Sequence, residues 1–277
     1  MKKLLKVLMA SILAIATLFC FTACKDDEGG DAGVIDTTTN TITVGYTDYE
    51  PMNYTEDNVL KGFDTELAIQ VFNALGYDVR FKLIDWSNKY QELNSNTIQC
   101  VWNGFTANCA DDDGVQRSEK VDFTYNYMTN AQCVIRKSTT EELTSASQFD
   151  GKSVAFESSS AGDSYVSAIT GANINKKGCT SQMDAIREVN SGTAQYAVVD
   201  LLLAKSIAGK GDYTNIAVNE SIVIDAEYYA IAFKKGSTLT EKVNVMLVAF
   251  AKTGYLAELA QKYGLSNQVI TDFTDQM

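Results

Sequence analysis

From residue 40 onward, short runs of β-branched and aromatic residues alternate with longer stretches whose apolar positions recur every three or four residues. ITVGY at 42–46 reads as a strand. Over 64–76, Leu67, Ala68, Val71, Phe72 and Leu75 fall on one helical face, with Asp64 as the expected N-cap and Gly76 as the stop. Strands are expected at 79–84 and at 99–102. The same grammar then restarts: a strand around 132–136, SVAFE at 153–157, a helix at 181–190 closed by Ser191-Gly192, a strand at 194–199 and a helix from Asp200. A strand at 230–234 follows, then an amphipathic helix over 240–252 that Thr240 can cap, and a final helix over 255–263. This βαβ rhythm predicts mainly parallel sheets covered by helices. No fixed period shows, so the pattern predicts two α/β lobes rather than a tandem repeat. Such lobes bind ligands at the carboxyl ends of their strands, which makes a cleft between them the default site.

The first 23 residues follow a different pattern. Lys2, Lys3 and Lys6 precede an apolar stretch over 7–21, and Thr22-Ala23 then leads into Cys24. That order predicts a secretory signal peptide over 1–23. FTAC at 21–24 is similar to a bacterial lipobox, with Phe21 where leucine is usual, which implies that Cys24 is lipidated and becomes the mature N-terminus. Residues 24–40 are polar, contain glycine and lack periodicity, and read as a flexible tether. No later stretch reaches the ~18 apolar residues of a membrane span. The expected location is the extracytoplasmic face of the cell membrane, lipid-anchored.

Charge and composition narrow the chemistry. The 277 residues carry 23 Lys+Arg against 35 Asp+Glu, a formal net charge of −12. Nucleic acid is therefore not expected as a partner, because phosphate binding needs clustered cations. There is no histidine, which excludes Ser-His-Asp and Cys-His mechanisms and histidine metal sites. Cys100, Cys109, Cys133 and Cys179 allow three pairings between which spacing does not choose. Cys100 also reads as a small buried residue in a core strand, and no C-x-x-C spacing supports zinc.

An α-amino acid needs a fork of donors for its carboxylate, acceptors for its ammonium and a surface for its side chain. Four segments at strand ends offer such groups. Arg117, in QRSEKVDF (116–123), can contact a carboxylate bidentately, and WNGFT (102–106) adds the Thr106 hydroxyl and N–H and the Gly104 carbonyl. ESSSAGDSY (157–165) is a Ser/Gly-rich loop opening a helix, whose N–H groups suit a carboxylate. It lacks the lysine and the glycines of a phosphate loop. Asp200 ends the strand AVVD (197–200) and can accept from an ammonium. Tyr49 and Trp86 can sandwich an apolar stem. Singly, these residues read as well as a solvated arginine, a turn, a helix N-cap and core aromatics. Their joint order is what points to a ligand.

That order resembles the extracellular solute-binding proteins of family 3, receptors of polar amino-acid ABC transporters, over essentially residues 41–270. The resemblance rests on GFDTELA (62–68), IQCVWNGFT (98–106), QRSEKVDF followed by Tyr127, GKSVAFE (151–157), NSGTAQYAVVD (190–200), EYYAIAFKKGS (227–237) and KTGYLAELAQKYG (252–264). It implies that Arg117 grips the α-carboxylate and Asp200 the α-ammonium. Thr106 and the Gly104 carbonyl add contacts, beside Asn103 of the same segment. The N–H groups at Ser160 and Ala161 donate, and Tyr49 and Trp86 flank the ligand. The sequence departs from the family pattern in several places. The stretch between Gly104 and Arg117 is longer, Asn126 replaces a proline, and Ser159 replaces a loop glycine. Tyr46 stands where several relatives place an acidic contact, and Glu157 where some point a residue at the ligand side chain.

The resemblance implies an α/β, two-lobed periplasmic-binding-protein-like fold (type II). One lobe would comprise 41–130 plus 231–277 and the other 131–230, joined by two crossing strands. The implied function is that of a monomeric binding protein without a cofactor or metal, which closes on a polar amino acid and delivers it to an ABC permease. A side chain that is cationic or an amide is favoured over an acidic one, because Glu157 would face it. The rival reading is a secreted enzyme on the same scaffold, similar to a cyclohexadienyl or arogenate dehydratase, with Glu157 or Asp163 as its acid.

Overall fold

The structure is a computed structural model that describes residues 40–222, 224 and 226–277. The expected signal peptide over 1–23, Cys24 and nearly all of the expected tether lie outside the described residues.

The first half of the fold begins with β1 (Thr41–Tyr46), a two-stranded hairpin of β2 (Tyr54–Glu56) and β3 (Val59–Lys61), α1 (Phe63–Ala74) and β4 (Asp78–Leu83). A 3-10 turn at Trp86–Asn88 runs into α2 (Lys89–Asn94), followed by β5 (Cys100–Val101), the single turn α3 (Arg117–Lys120) and β6 (Val121–Phe123). The chain then enters the long β7 (Met128–Lys137), β8 (Ser153–Glu157), α4 (Ala161–Ala168), β9 (Asn175–Cys179) and α5 (Gln182–Ser191). β10 (Tyr196–Asp200), α6 (Leu201–Ile207), β11 (Ile216–Val218) and β12 (Ala226–Tyr229) complete this part. The chain returns with β13 (Ala232–Lys234), α7 (Leu239–Thr253) and α8 (Tyr255–Lys262).

Two large sheets result. The first has the order β4-β1-β5-β13-β6, with β1 parallel to β4 and β5, and β13 antiparallel to β5 and β6. The second has the order β11-β7-β10-β8-β9, parallel from β10 through β8 to β9 and antiparallel at β7. Each sheet is thus parallel where the βαβ rhythm is regular. It turns antiparallel where a strand arrives by crossing between sheets, since that strand enters from the opposite end. The crossing itself is a ribbon, with β12 antiparallel to the start of β7 from Ala226–Ala131 to Tyr229–Met128.

The apolar stripe of α1 faces the core as its spacing predicts, with Phe63, Leu67, Ala68, Val71 and Phe72 all at 0% exposure. Two expected caps are corrected. α1 begins after Gly62, at φ 125°, where an added Cβ would lie 2.1 Å from the Met52 carbonyl oxygen, so only glycine fits. Asp64 is the second residue of the helix and is fully buried, turned inward rather than capping. α7 starts after Thr238, and the Thr240 hydroxyl is buried without a hydrogen-bond partner. The terminators hold as expected: Gly192 and Gly254 close α5 and α7 in the left-handed conformation, at φ 87° and 83°. The four described cysteines are all free, and Cys100 and Cys133 are buried.

Candidate functional site

Strand ends from both sheets converge on one partly open cavity lined by Trp86, Asn103, Gly104, Thr106, Arg117, Glu157, Ser160, Ala161, Gln182 and Asp200. Nine of the eleven residues singled out from the sequence are therefore brought together. Tyr46 and Tyr49 are not on the wall. Tyr46 packs edge-on against Phe81 at 6.0 Å. Tyr49 lies behind Gly104, and its hydroxyl is 2.7 Å from that of Tyr229. Gly104 has φ 57°, and a Cβ there would come within 2.7 Å of the Tyr49 ring, so the aromatic pair and the glycine fit only together.

The loop after β5 is held from below. The Gly104 N–H donates to Asp64 Oδ2 at 2.9 Å, and the Tyr127 hydroxyl donates to the same carboxylate at 2.8 and 2.9 Å. Burial pushes the Asp64 carboxyl up to about 7 despite these donors. Asn103 is tied to Thr47 and Asn53 at 2.6–2.9 Å. The backbone that offers the Gly104 carbonyl is thereby fixed.

Arg117 is 1% exposed. Its Nε donates to Asp111 Oδ1 at 2.8 Å, its Nη1 to the Thr106 carbonyl at 3.1 Å, and its Nη2 reaches the Ser159 carbonyl at 3.5 Å. Its guanidinium carbon lies 5.2 Å from the centre of the Phe105 ring. Nearby, the buried Lys89 donates to the Ser159 carbonyl at 3.0 Å and sits over the rings of Trp86 and Tyr90. Burial and the Arg117 charge bring the Lys89 ammonium down to about 8. Ser159 has φ 59°, the left-handed conformation in which a glycine was the family expectation. That turn aims its carbonyl across the cleft at both cations. Ser164 to the Ala110 carbonyl and Ser206 to the Glu50 carbonyl, at 3.3 and 3.1 Å, are further bonds between the two sides.

The opposite wall is acidic. Asp200 stands at the N-cap position of α6 but makes no side-chain cap. Its carboxylate accepts instead from Asn130 at 2.9 Å, from Gln182 at 2.6 Å and from Gln132. Gln182 also accepts the Asp200 N–H at 2.8 Å. Asn130 and Gln132 donate as well to Glu227, at 3.0–3.2 Å, so two carboxylates share two amide donors. Burial raises both acids, and for Glu227 the charge of Asp200 adds to it. Glu157 is 2% exposed, and its Oε1 is buried without a hydrogen-bond partner. Burial and then the Asp200 charge push its carboxyl up to about 8, opposed by Lys89 and Arg117.

Gln182, Asn130, Gln132, Glu227, Lys89 and Asp111 were not singled out in the sequence. A signal existed for two of them. Asn130 and Gln132 are two apart and both buried in a strand that continues into the buried apolar Cys133, Val134 and Ile135, so one face of β7 announces a polar purpose. Gln182 opens a helix just past a strand end, which is a site position without a distinctive residue type. Among the described residues, no group of three or more His, Cys, Asp or Glu side chains is arranged to hold a metal.

A two-sheet α/β protein with a cleft of one cationic and one acidic wall offers groups complementary to both ends of a small zwitterion. The chain belongs to the bacterial extracellular solute-binding proteins, family 3, whose family model matches residues 42–266. It is 25% identical to the arginine-binding extracellular protein ArtP of Bacillus subtilis, over 95% of this chain and 98% of that one. It is also 25% identical to the L-cystine-binding protein TcyA of the same organism, covering 95% and 97%. Among solved structures, an ancestral arginine-binding protein bound to arginine superposes with a TM-score of 0.73 at 26% identity, over 81% of this chain and 98% of that one.

Proposed function

We propose that this protein captures an amino acid with a cationic side chain outside the cytoplasm and presents it to an ABC permease. The observation that carries the reading is the unpartnered, buried Glu157 oxygen on a wall that already holds Asp200. Arg117 and Asp200 neutralise the two ends of the zwitterion, and Glu157 remains as an acceptor for a third charge. A like-charged ligand side chain would meet Glu157 in a water-poor cavity, whereas a guanidinium or ammonium supplies the missing donor. The relatives named for arginine and cystine fit a site rich in acidic groups. In this reading the lobes, 41–130 with 231–277 and 131–230, close about the β7/β12 ribbon, and the permease reads the closed form. The protein acts as a monomer tethered through lipid on Cys24.

A competition series of arginine, lysine, glutamine, cystine and glutamate on the parent and on Glu157→Gln tests the ligand. Arginine or lysine should rank first on the parent and lose that rank in the variant. Glutamate binding tightest to both would overturn the assignment. For the tether, Cys24→Ser should abolish lipid modification in cells, and an unmodified mature N-terminus elsewhere on the parent would refute it.

A further inference from the structure

The stretch between Gly104 and Arg117 forms a small hairpin of its own. Ala110 bridges to Gln116, Asp111 N–H donates to the Val115 carbonyl at 3.0 Å, and Gly114 turns the tip at φ 78°. Its base is anchored on β12, where the Ala107 N–H donates to the Tyr228 carbonyl at 2.8 Å and Asn108 brackets the same strand. The returning chain sets the Arg117 N–H on the Cys109 carbonyl at 3.2 Å. These residues therefore do not loop away from the cleft. They deliver one carboxylate, that of Asp111, to the back of Arg117.

Asp111 is held from several sides. Oδ1 takes the Arg117 Nε–H, while Oδ2 accepts from the Tyr90 hydroxyl at 2.7 Å and from Lys120 Nζ at 2.8 Å. Its side chain is 8% exposed. Burial alone would raise its carboxyl, but Lys120, Arg117 and Tyr90 together bring it down to about 2, so it stays ionised at any working pH. Lys89 and Lys120 join Arg117 in facing Asp111, Asp112 and Asp113, so three cations meet three carboxylates.

We propose that Asp111 is a positioning residue that fixes which edge of the Arg117 guanidinium meets the ligand. A guanidinium can grip a carboxylate through its Nε/Nη edge or through its two Nη groups. With Nε on Asp111, one Nη1 proton on the Thr106 carbonyl and one Nη2 proton toward the Ser159 carbonyl, the Nε edge is closed and one proton on each terminal nitrogen is left for the ligand. The carboxylate position is thereby set, and with it the distance at which the ligand side chain meets Glu157. This inference rests on the reading of Arg117 as the carboxylate grip.

The test is calorimetric titration of the purified protein, with the tightest binder among L-arginine, L-lysine, L-glutamine and L-cystine and with the methyl ester of the same compound. Asp111→Ala should weaken the free amino acid on the order of tenfold, the scale of loss when the partner orienting a binding group is removed. It should leave the ester, which lacks the carboxylate charge, within about twofold. Asp111→Glu should recover part of the loss, and a thermal melt checks that each variant is folded. Equal losses for acid and ester would show a merely structural role and overturn the proposal. So would an Asp111→Ala variant within twofold of the parent while Arg117→Ala abolishes binding. Arg117→Ala that binds like the parent would instead overturn the carboxylate assignment itself.

Discussion

The two walls of the cleft solve opposite problems. On the wall built from the first sheet, the charge of Arg117 is matched before any ligand arrives, with Asp111, the Thr106 carbonyl and the Phe105 ring around it. On the wall built from the second sheet, Asp200 is surrounded by amide donors, yet Glu157 keeps a buried oxygen with no donor at all. One wall is finished and fixes geometry. The other is left short of positive charge, and a buried acid without a partner is costly until something supplies one. In the proposed reading, the contrast separates affinity from selectivity: completed networks would grip the groups common to every amino acid, and the unfinished one would choose among side chains.

The strongest way to break this comparison is to remove a grip from each wall. Arg117→Ala and Asp200→Ala should each weaken binding by about 2–5 kcal/mol, roughly 30- to 4000-fold, because each leaves a ligand charge buried without its partner. Calorimetry on folded variants checks this, and a loss confined to one wall would mean that only that wall contacts the zwitterion.

A smaller effect sharpens the contrast through pH. The Glu157 carboxyl sits at about 8 in the free protein, so at lower pH it is protonated and cannot attract a cation. Affinity for L-arginine should therefore rise with pH up to about 8, by at most about tenfold per unit. Protons should be released on binding, measurable by titrating in buffers of different ionisation enthalpy. Glu157→Gln should reduce the slope, leaving the part that Glu227, at about 7, contributes.

The smallest effect concerns the support beneath the first wall. The Asp64 carboxyl is raised from 3.8 to about 7 by burial. Its contribution to stability is thus fully present below about pH 4 and is lost as pH rises through about 7. Asp64→Asn keeps an acceptor for the Gly104 N–H without the charge. The parent's melting temperature should fall relative to that of the variant between pH 5 and 8, by roughly 2–4 °C for each kcal/mol involved.

Much of this architecture was legible because local pattern and tertiary role agree. SVAFE is a strand in both readings, the Ser191-Gly192 stop lies where α5 ends, and Arg117, Glu157 and Asp200 stand at element ends that point into the cavity. The failures share a cause. Asp64 has the chemistry of a cap, but a contact forty residues away, with Gly104, decides its orientation. The amides that hold Asp200 come from β7 and α5, up to seventy residues off, and a neutral amide in a strand or at a helix start has no distinctive local signature. The short strands β2, β3 and β11 are too brief for a period to register. Tyr46 and Tyr49 occupy the right neighbourhood, but packing against Phe81 and Tyr229 takes their rings off the wall.

The chain contains no histidine, and this gives its titration curve an unusual origin. In most proteins, imidazoles scattered over the surface dominate proton exchange near neutrality. Here the described side chains raised or lowered into that range include Asp64 and Glu227 at about 7 and Glu157 and Lys89 at about 8, all in the cleft or directly behind it. Proton uptake and release should thus act as a label built into the proposed binding site. A pH-stat trace on lightly buffered protein should then follow the occupancy of the cleft without a dye, a fluorophore or an engineered probe.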